Sequence, residues 1–90
     1  MIVEETFEIV NEKGMHARAA GKVVALAKQF ESEIYLIKDG NAVDAKSILE
    51  MMTLAAAKGS KVTVRAEGRD AQTAVAAIGA VIEDKFGEEA

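Results

Sequence analysis

Lys61-Val62-Thr63-Val64-Arg65-Ala66-Glu67 alternates strictly between apolar and polar residues. In a β-strand successive side chains point to opposite faces, so Val62, Val64 and Ala66 share one face while Lys61, Thr63, Arg65 and Glu67 share the other. A strand with one dry and one wet face belongs to an antiparallel sheet covered on one side only. Downstream, Gly68-Arg69-Asp70 reads as a turn with Asp70 as a helix N-cap. A helix follows from Ala71 to about Lys85, with Ala74, Val75, Ile78, Val81 and Ile82 as its apolar stripe, and Gly87-Glu88-Glu89 ends the chain in a solvated tail. Upstream, Lys58-Gly59-Ser60 breaks the chain after a short helix over Ile48 to Leu54. The Ser47-x-x-Glu50 pattern of a capping box opens that helix.

Asp39-Gly40 suits a type I′ hairpin joining a strand over Ser32–Lys38 to a short partner over Ala42–Ala45. The spacing of Ala20, Val23, Val24, Ala27 and Phe30 predicts a helix from Ala17 to Phe30, preceded by a turn at Asn11-Glu12-Lys13-Gly14. Thr6–Val10 completes the set as a half-exposed strand. The order β-α-β-β-α-β-α predicts the α+β class: one domain over residues 1–90, built as two layers with helices on one face of an antiparallel sheet. Periodicity does not give the strand order.

Composition narrows the function. Ninety residues support a single core, and a chain of this size removes only about 60–65% of its unfolded surface from water. Lys and Arg number 11 against 15 Asp and Glu, a net charge of −4, and the aromatics are one Tyr and three Phe. Nucleic-acid binding, which draws on basic faces and stacking rings, is not expected. With no cysteine and one histidine, neither a disulfide framework nor a metal centre is expected, and no cofactor. No run of 18 apolar residues is present and the N-terminus lacks the marks of a signal peptide, so the expected location is cytoplasmic.

The lone histidine carries the sharpest signal. Gly14-Met15-His16-Ala17-Arg18-Ala19-Ala20 sets it between a glycine turn and a helix start. Backbone N–H groups are unsatisfied there and the helix dipole favours anions. Arg18 offers a guanidinium suited to phosphate, and a neutral imidazole is a competent nucleophile. On these grounds alone a single histidine at a helix start is ordinarily a surface or capping residue. A Ser-His-Asp arrangement with Ser32, Ser47 or Ser60 lacks the nucleophile elbow.

Two segments at this separation, Gly14–Ala20 and Lys46-Ser47-Ile48-Leu49-Glu50-Met51-Met52-Thr53-Leu54, together with the chain length, resemble the histidine-containing phosphocarrier (HPr) family of the bacterial phosphoenolpyruvate-dependent phosphotransferase system. The similarity covers about residues 2–87 and includes the family's nitrogen-related branch. It implies an open-faced β-sandwich, four antiparallel strands covered on one face by three helices. It implies a carrier rather than an enzyme. His16 matches the residue phosphorylated on Nδ1, Arg18 the arginine that steadies the phosphoryl group, and the amides of Ala17 and Arg18 the phosphate donors. Met15, Ala20, Gly21, Ile48, Leu49, Met52 and Thr53 match the partner-facing patch, which Lys22, Lys28 and Lys46 are expected to ring. Ser47 matches the serine that in some lineages is modified by a serine kinase/phosphorylase. The implied partners are Enzyme I as donor and IIA-type domains as acceptors, with the carrier a monomer.

Ala19 stands where the family usually has proline, which leaves an N–H in the first helical turn, and Glu50 adds a negative charge beside the patch. Two other functions compete. One is a regulatory docking module that uses the same surface without phosphoryl traffic. The other is a small acylphosphatase-like hydrolase, which the extra C-terminal helix does not fit.

Overall fold

The computed structural model describes residues 1–90. The strands are β1 (Ile2–Glu8), β2 (Glu33–Lys38), β3 (Asn41–Asp44) and β4 (Lys61–Glu67); the helices are α1 (Ala17–Ala27), α2 (Ile48–Met51) and α3 (Ala71–Glu83). A 3-10 turn over Lys85–Gly87 follows α3. The sheet order is β1-β4-β2-β3, antiparallel throughout, with Val64 opposite Glu5 on one side and Leu36 on the other. This is the expected α+β open-faced sandwich.

The alternating strand sits at the centre. Val62, Val64 and Ala66 are buried, as are Ile34 and Leu36 on β2 and Phe7 on β1. The opposite face keeps Thr6 and Thr63 in a 2.8 Å hydrogen bond, and Arg65 forms an ion pair with Glu4 at 3.3 Å. α3 packs over β1 and β4, α1 against α3, and α2 against β3. Twenty-four buried apolar residues form one core between sheet and helices. Asp39 and Gly40 both have positive φ, 51° and 82°, as the predicted I′ turn requires.

Several local expectations are corrected. β1 begins at Ile2 and ends at Glu8, because β4 provides a ladder from Glu67 to Lys61 that does not depend on apolar alternation. α1 stops at Ala27 rather than Phe30. The cause lies in Asp70: its carboxylate accepts from the amides of Glu31 and Ser32, both at 2.9 Å, and fastens the chain leaving α1. Asp70 therefore makes no side-chain cap on α3. α2 ends at Met51, where Met52 and Thr53 turn away and Ala55 takes a φ of 53°.

The capping box is half made. Ser47 Oγ accepts from the Glu50 amide at 3.2 Å, but the Glu50 carboxylate takes the Asp44 amide at 3.0 Å. The C-terminal segment is not a solvated tail. Lys85 and Phe86 both adopt positive φ, 57° and 56°, and the resulting reversal buries Phe86 and brings Glu88 back over α1. No helix is long and apolar enough to cross a membrane.

Candidate functional site

The approach to His16 is fixed before the helix begins. Gly14 has a φ of 66° and is packed so closely that a Cβ would lie 2.5 Å from the Ala56 carbonyl oxygen. The next amide, that of Met15, donates to the same oxygen at 2.8 Å. The loop before β4 thus clamps the residues that precede the histidine. Met15 turns into the core, and His16, with extended backbone, becomes the N-cap of α1.

An N-cap side chain ordinarily accepts a hydrogen bond from the first helical turn. Here the acceptor is the imidazole: the Arg18 amide donates to His16 Nδ1 at 3.3 Å. The Ala20 amide is taken by the His16 carbonyl, while the Ala17 and Ala19 amides have no acceptor within the chain. The Arg18 side chain is exposed and forms no ion pair. The first turn of α1 therefore presents amide donors and a guanidinium that nothing in the chain pairs.

The other ring nitrogen is occupied. Nε2 bonds the Glu88 carboxylate, which also accepts from Asn11 Nδ2 at 2.9 Å through its second oxygen. Asn11 is fully buried and donates further to the Gly14 carbonyl at 2.9 Å. These bonds, first that from His16 and then that from Asn11, hold the Glu88 carboxyl below the usual carboxylate range. Lys22 Nζ donates to the Phe86 carbonyl and the Glu12 amide to the Ala90 carbonyl, which secures the returning segment on both sides. A surface depression results, lined by Glu12, Lys13, His16, Arg18, Glu88 and Glu89.

The remaining site residues divide by burial. Ile48, Leu49 and Met52 are exposed apolar side chains on and beside α2, Leu49 at 80%, with exposed Thr53 next to them. Gly21 is half-buried. Met15 and Ala20 belong to the core, so these two of the residues matched to the partner-facing patch do not face the surface. Met15 faces inward because its backbone is clamped to Ala56; Ala20 lies on the buried stripe of α1. Nor do the lysines form a free ring: Lys22 is tied to Phe86, and Lys46 Nζ donates to the Phe30 carbonyl at 2.8 Å. Ser32 and Ser47 are engaged elsewhere, by Asp70 and by the α2 cap.

Sequence reasoning missed Asn11 and Glu88. Asn11 reads as one polar residue of a turn, and Glu88 as tail. The available signal was Phe86, a large apolar residue beyond the helix stripe that has to be buried somewhere.

The family model for the HPr component phosphorylation site of the phosphotransferase system matches residues 3–84. The phosphocarrier protein HPr of Cupriavidus necator is 46% identical over 80 residues, covering 89% of this chain and 90% of the relative. A crystal structure of HPr from Thermoanaerobacter tengcongensis superposes with a TM-score of 0.93 at 44% identity, covering 98% of this chain and 99% of that one. The Bacillus subtilis catabolite repression protein Crh, described as a dimer with a swapping domain, gives a TM-score of 0.74 at 37% identity, covering 92% and 95% of the two chains. A dimer among the relatives means that the monomer expectation does not follow from kinship. The chain belongs to the HPr family of phosphotransferase-system phosphocarriers, proteins that carry a phosphoryl group rather than turn over a substrate.

Proposed function

We propose that His16 is the phosphoacceptor, charged by the phosphohistidine of Enzyme I and discharged to a histidine on a IIA-type domain in the cytoplasm. The observation that carries this reading is the position of the only histidine as N-cap of α1, with Nδ1 on the Arg18 amide and the unpaired Arg18 side chain lining the same depression. Nδ1 attacks the phosphorus in line, and the phosphoryl oxygens take the amides of Ala17 and Arg18 and the Arg18 side chain in place of the imidazole. A helix start stabilises an anion by about 0.3–1 kcal/mol, and a charge-assisted hydrogen bond by about 1.5–3 kcal/mol. That is enough to hold a group that has to be handed on.

Ile48, Leu49, Met52 and Thr53 supply the docking surface, and methionine adapts to more than one partner. Ser47 is accounted for by its cap on α2, and a serine kinase acting there would have to displace that hydrogen bond.

The test is incubation with phosphoenolpyruvate and Enzyme I. The parent should gain one acid-labile phosphate and His16→Ala none; label on His16→Ala removes the reading. A regulatory docking role, suggested by the likeness to Crh, predicts partner binding without phosphate uptake in the same assay.

A further inference from the structure

We propose that Asn11 and Glu88 are positioning residues that hold His16 in the tautomer with its proton on Nε2, keeping Nδ1 free as the nucleophile. This deepens the phosphoacceptor reading and rests on it. An ionised carboxylate can only accept hydrogen bonds, so the imidazole nitrogen facing Glu88 has to be the N–H. Nδ1 is then left with its lone pair, in agreement with the Arg18 amide donating to it. Which ring nitrogen of a histidine carries the proton is set by the partner of the other, and carboxylates in this place orient imidazoles in metal sites and catalytic triads alike.

Asn11 makes the arrangement directional. Its Nδ2 donates both to the Gly14 carbonyl and to the free Glu88 oxygen, so its amide cannot be reversed without setting its oxygen against two acceptors. The carboxylate is held from behind by a fully buried side chain, and its own chain position is held by Phe86 in the core and by Lys22 on the Phe86 carbonyl. The other charged groups at the depression are Glu12, Lys13, Arg18 and Glu89; none of them bonds His16 through its side chain.

The chemistry balances without a proton leaving. As the donor's N–P bond breaks, its electron pair returns to the donor nitrogen and a bond forms from Nδ1 to phosphorus. The Nε2 proton stays in place, and the imidazolium that results faces the Glu88 carboxylate. Discharge reverses these steps.

Glu88→Gln distinguishes a positioning role from a structural one. With Asn11 donating to the glutamine oxygen, the glutamine NH2 group faces Nε2, which must then accept, so the proton moves to Nδ1. Substituting the orienting carboxylate of a triad by its amide fails for the same reason. Glu88→Ala removes the partner without imposing the wrong tautomer. Because His16 is the only histidine, 15N NMR of the neutral imidazole reports the tautomer on one residue.

The parent should show the Nε2–H form, Glu88→Ala a mixture and Glu88→Gln the Nδ1–H form. Phosphate uptake should slow in the same order, with Glu88→Gln losing on the order of tenfold to a hundredfold. A tautomer indifferent to Glu88→Gln overturns the proposal, as does a changed tautomer with unchanged transfer. If the parent itself accepts no phosphate, the phosphoacceptor reading falls, and the NMR result separates that failure from loss of the Glu88 contact.

Discussion

The ring of Phe7 fills the space that Gly79 leaves on α3: a Cβ there would lie 2.9 Å from Phe7 Cε2 and closer still to Cζ. β1 and α3 meet at this point, and the close approach sets the helix down on the sheet. Gly79→Ala would raise helix propensity by about 1 kcal/mol. It would also overpack a core in which Phe7 is 7% exposed, at a cost of about 1–3 kcal/mol. The packing cost should win, for a net loss of about 1 kcal/mol in urea unfolding. A gain in stability would mean that the ring moves aside freely.

Gly14 is constrained more severely, because the atoms in the way are backbone. A Cβ would lie 2.5 Å from the Ala56 carbonyl oxygen and 2.9 Å from the Ala57 Cα, at a φ of 66°. Gly14→Ala should cost at least about 2 kcal/mol. It should also disturb His16, since Met15 hangs from the same carbonyl. Melting and phosphate uptake on one preparation check both effects, and a variant as stable and as fast as the parent would refute the clamp.

Arg18 tests the donors at the start of α1. Its side chain is exposed and unpaired, so Arg18→Ala removes no fold contact and keeps helix propensity. Circular dichroism should be unchanged while transfer slows by about tenfold, the loss of one hydrogen bond to a charged group. An unaltered transfer rate would take the guanidinium out of the site.

Acid stability should depend on Asp70. The Ser32 hydroxyl, then the amide of Glu31, hold its carboxyl below the usual range. A depressed carboxyl stabilises the fold fully above its unfolded value of about 3.9, and that contribution is lost as pH falls through the lower folded value. Glu88 acts in the same sense, through His16 and Asn11. The difference in urea midpoint between the parent and Asp70→Asn should hold steady from neutral pH to about pH 5 and shrink below about pH 4. A difference that grows on acidification contradicts the assignment.

Most of the fold was legible because it is periodic. Val62, Val64 and Ala66 alternate, the α1 and α3 stripes recur at helical spacing, and Asp39-Gly40 is a turn by its chemistry. The ends of elements were not legible, since long-range capture sets them. Asp70 ends α1 from 38 and 39 residues away, and β4 extends β1. The site was legible at His16 and Arg18, which lie within one motif. It was not legible at Glu88, 72 residues from His16, because Lys85 and Phe86 reverse the chain through a left-handed conformation that neither residue type signals.

Ser47 separates stability from docking. Its hydroxyl caps α2 through the Glu50 amide at 3.2 Å, so Ser47→Ala should cost roughly 0.5–2 kcal/mol while transfer through His16 survives. Aspartate is also a good cap, and Ser47→Asp should melt near the parent. Docking is another matter. Glu50 and Asp44 already place negative charge around the start of α2, and the Glu50 carboxylate is held there by the Asp44 amide. Leu49 and Met52, on and beside the same short helix, are the apolar groups that a partner would cover. A further charge at position 47 would have to be desolvated with them, or would repel an acidic partner. The alanine variant should therefore be less stable but active, and the aspartate variant stable but weak in binding. Urea melts and Enzyme I titrations of both variants give the comparison. If Ser47→Asp binds Enzyme I as tightly as the parent, the docking surface does not extend to the α2 cap and Ser47 serves the helix alone.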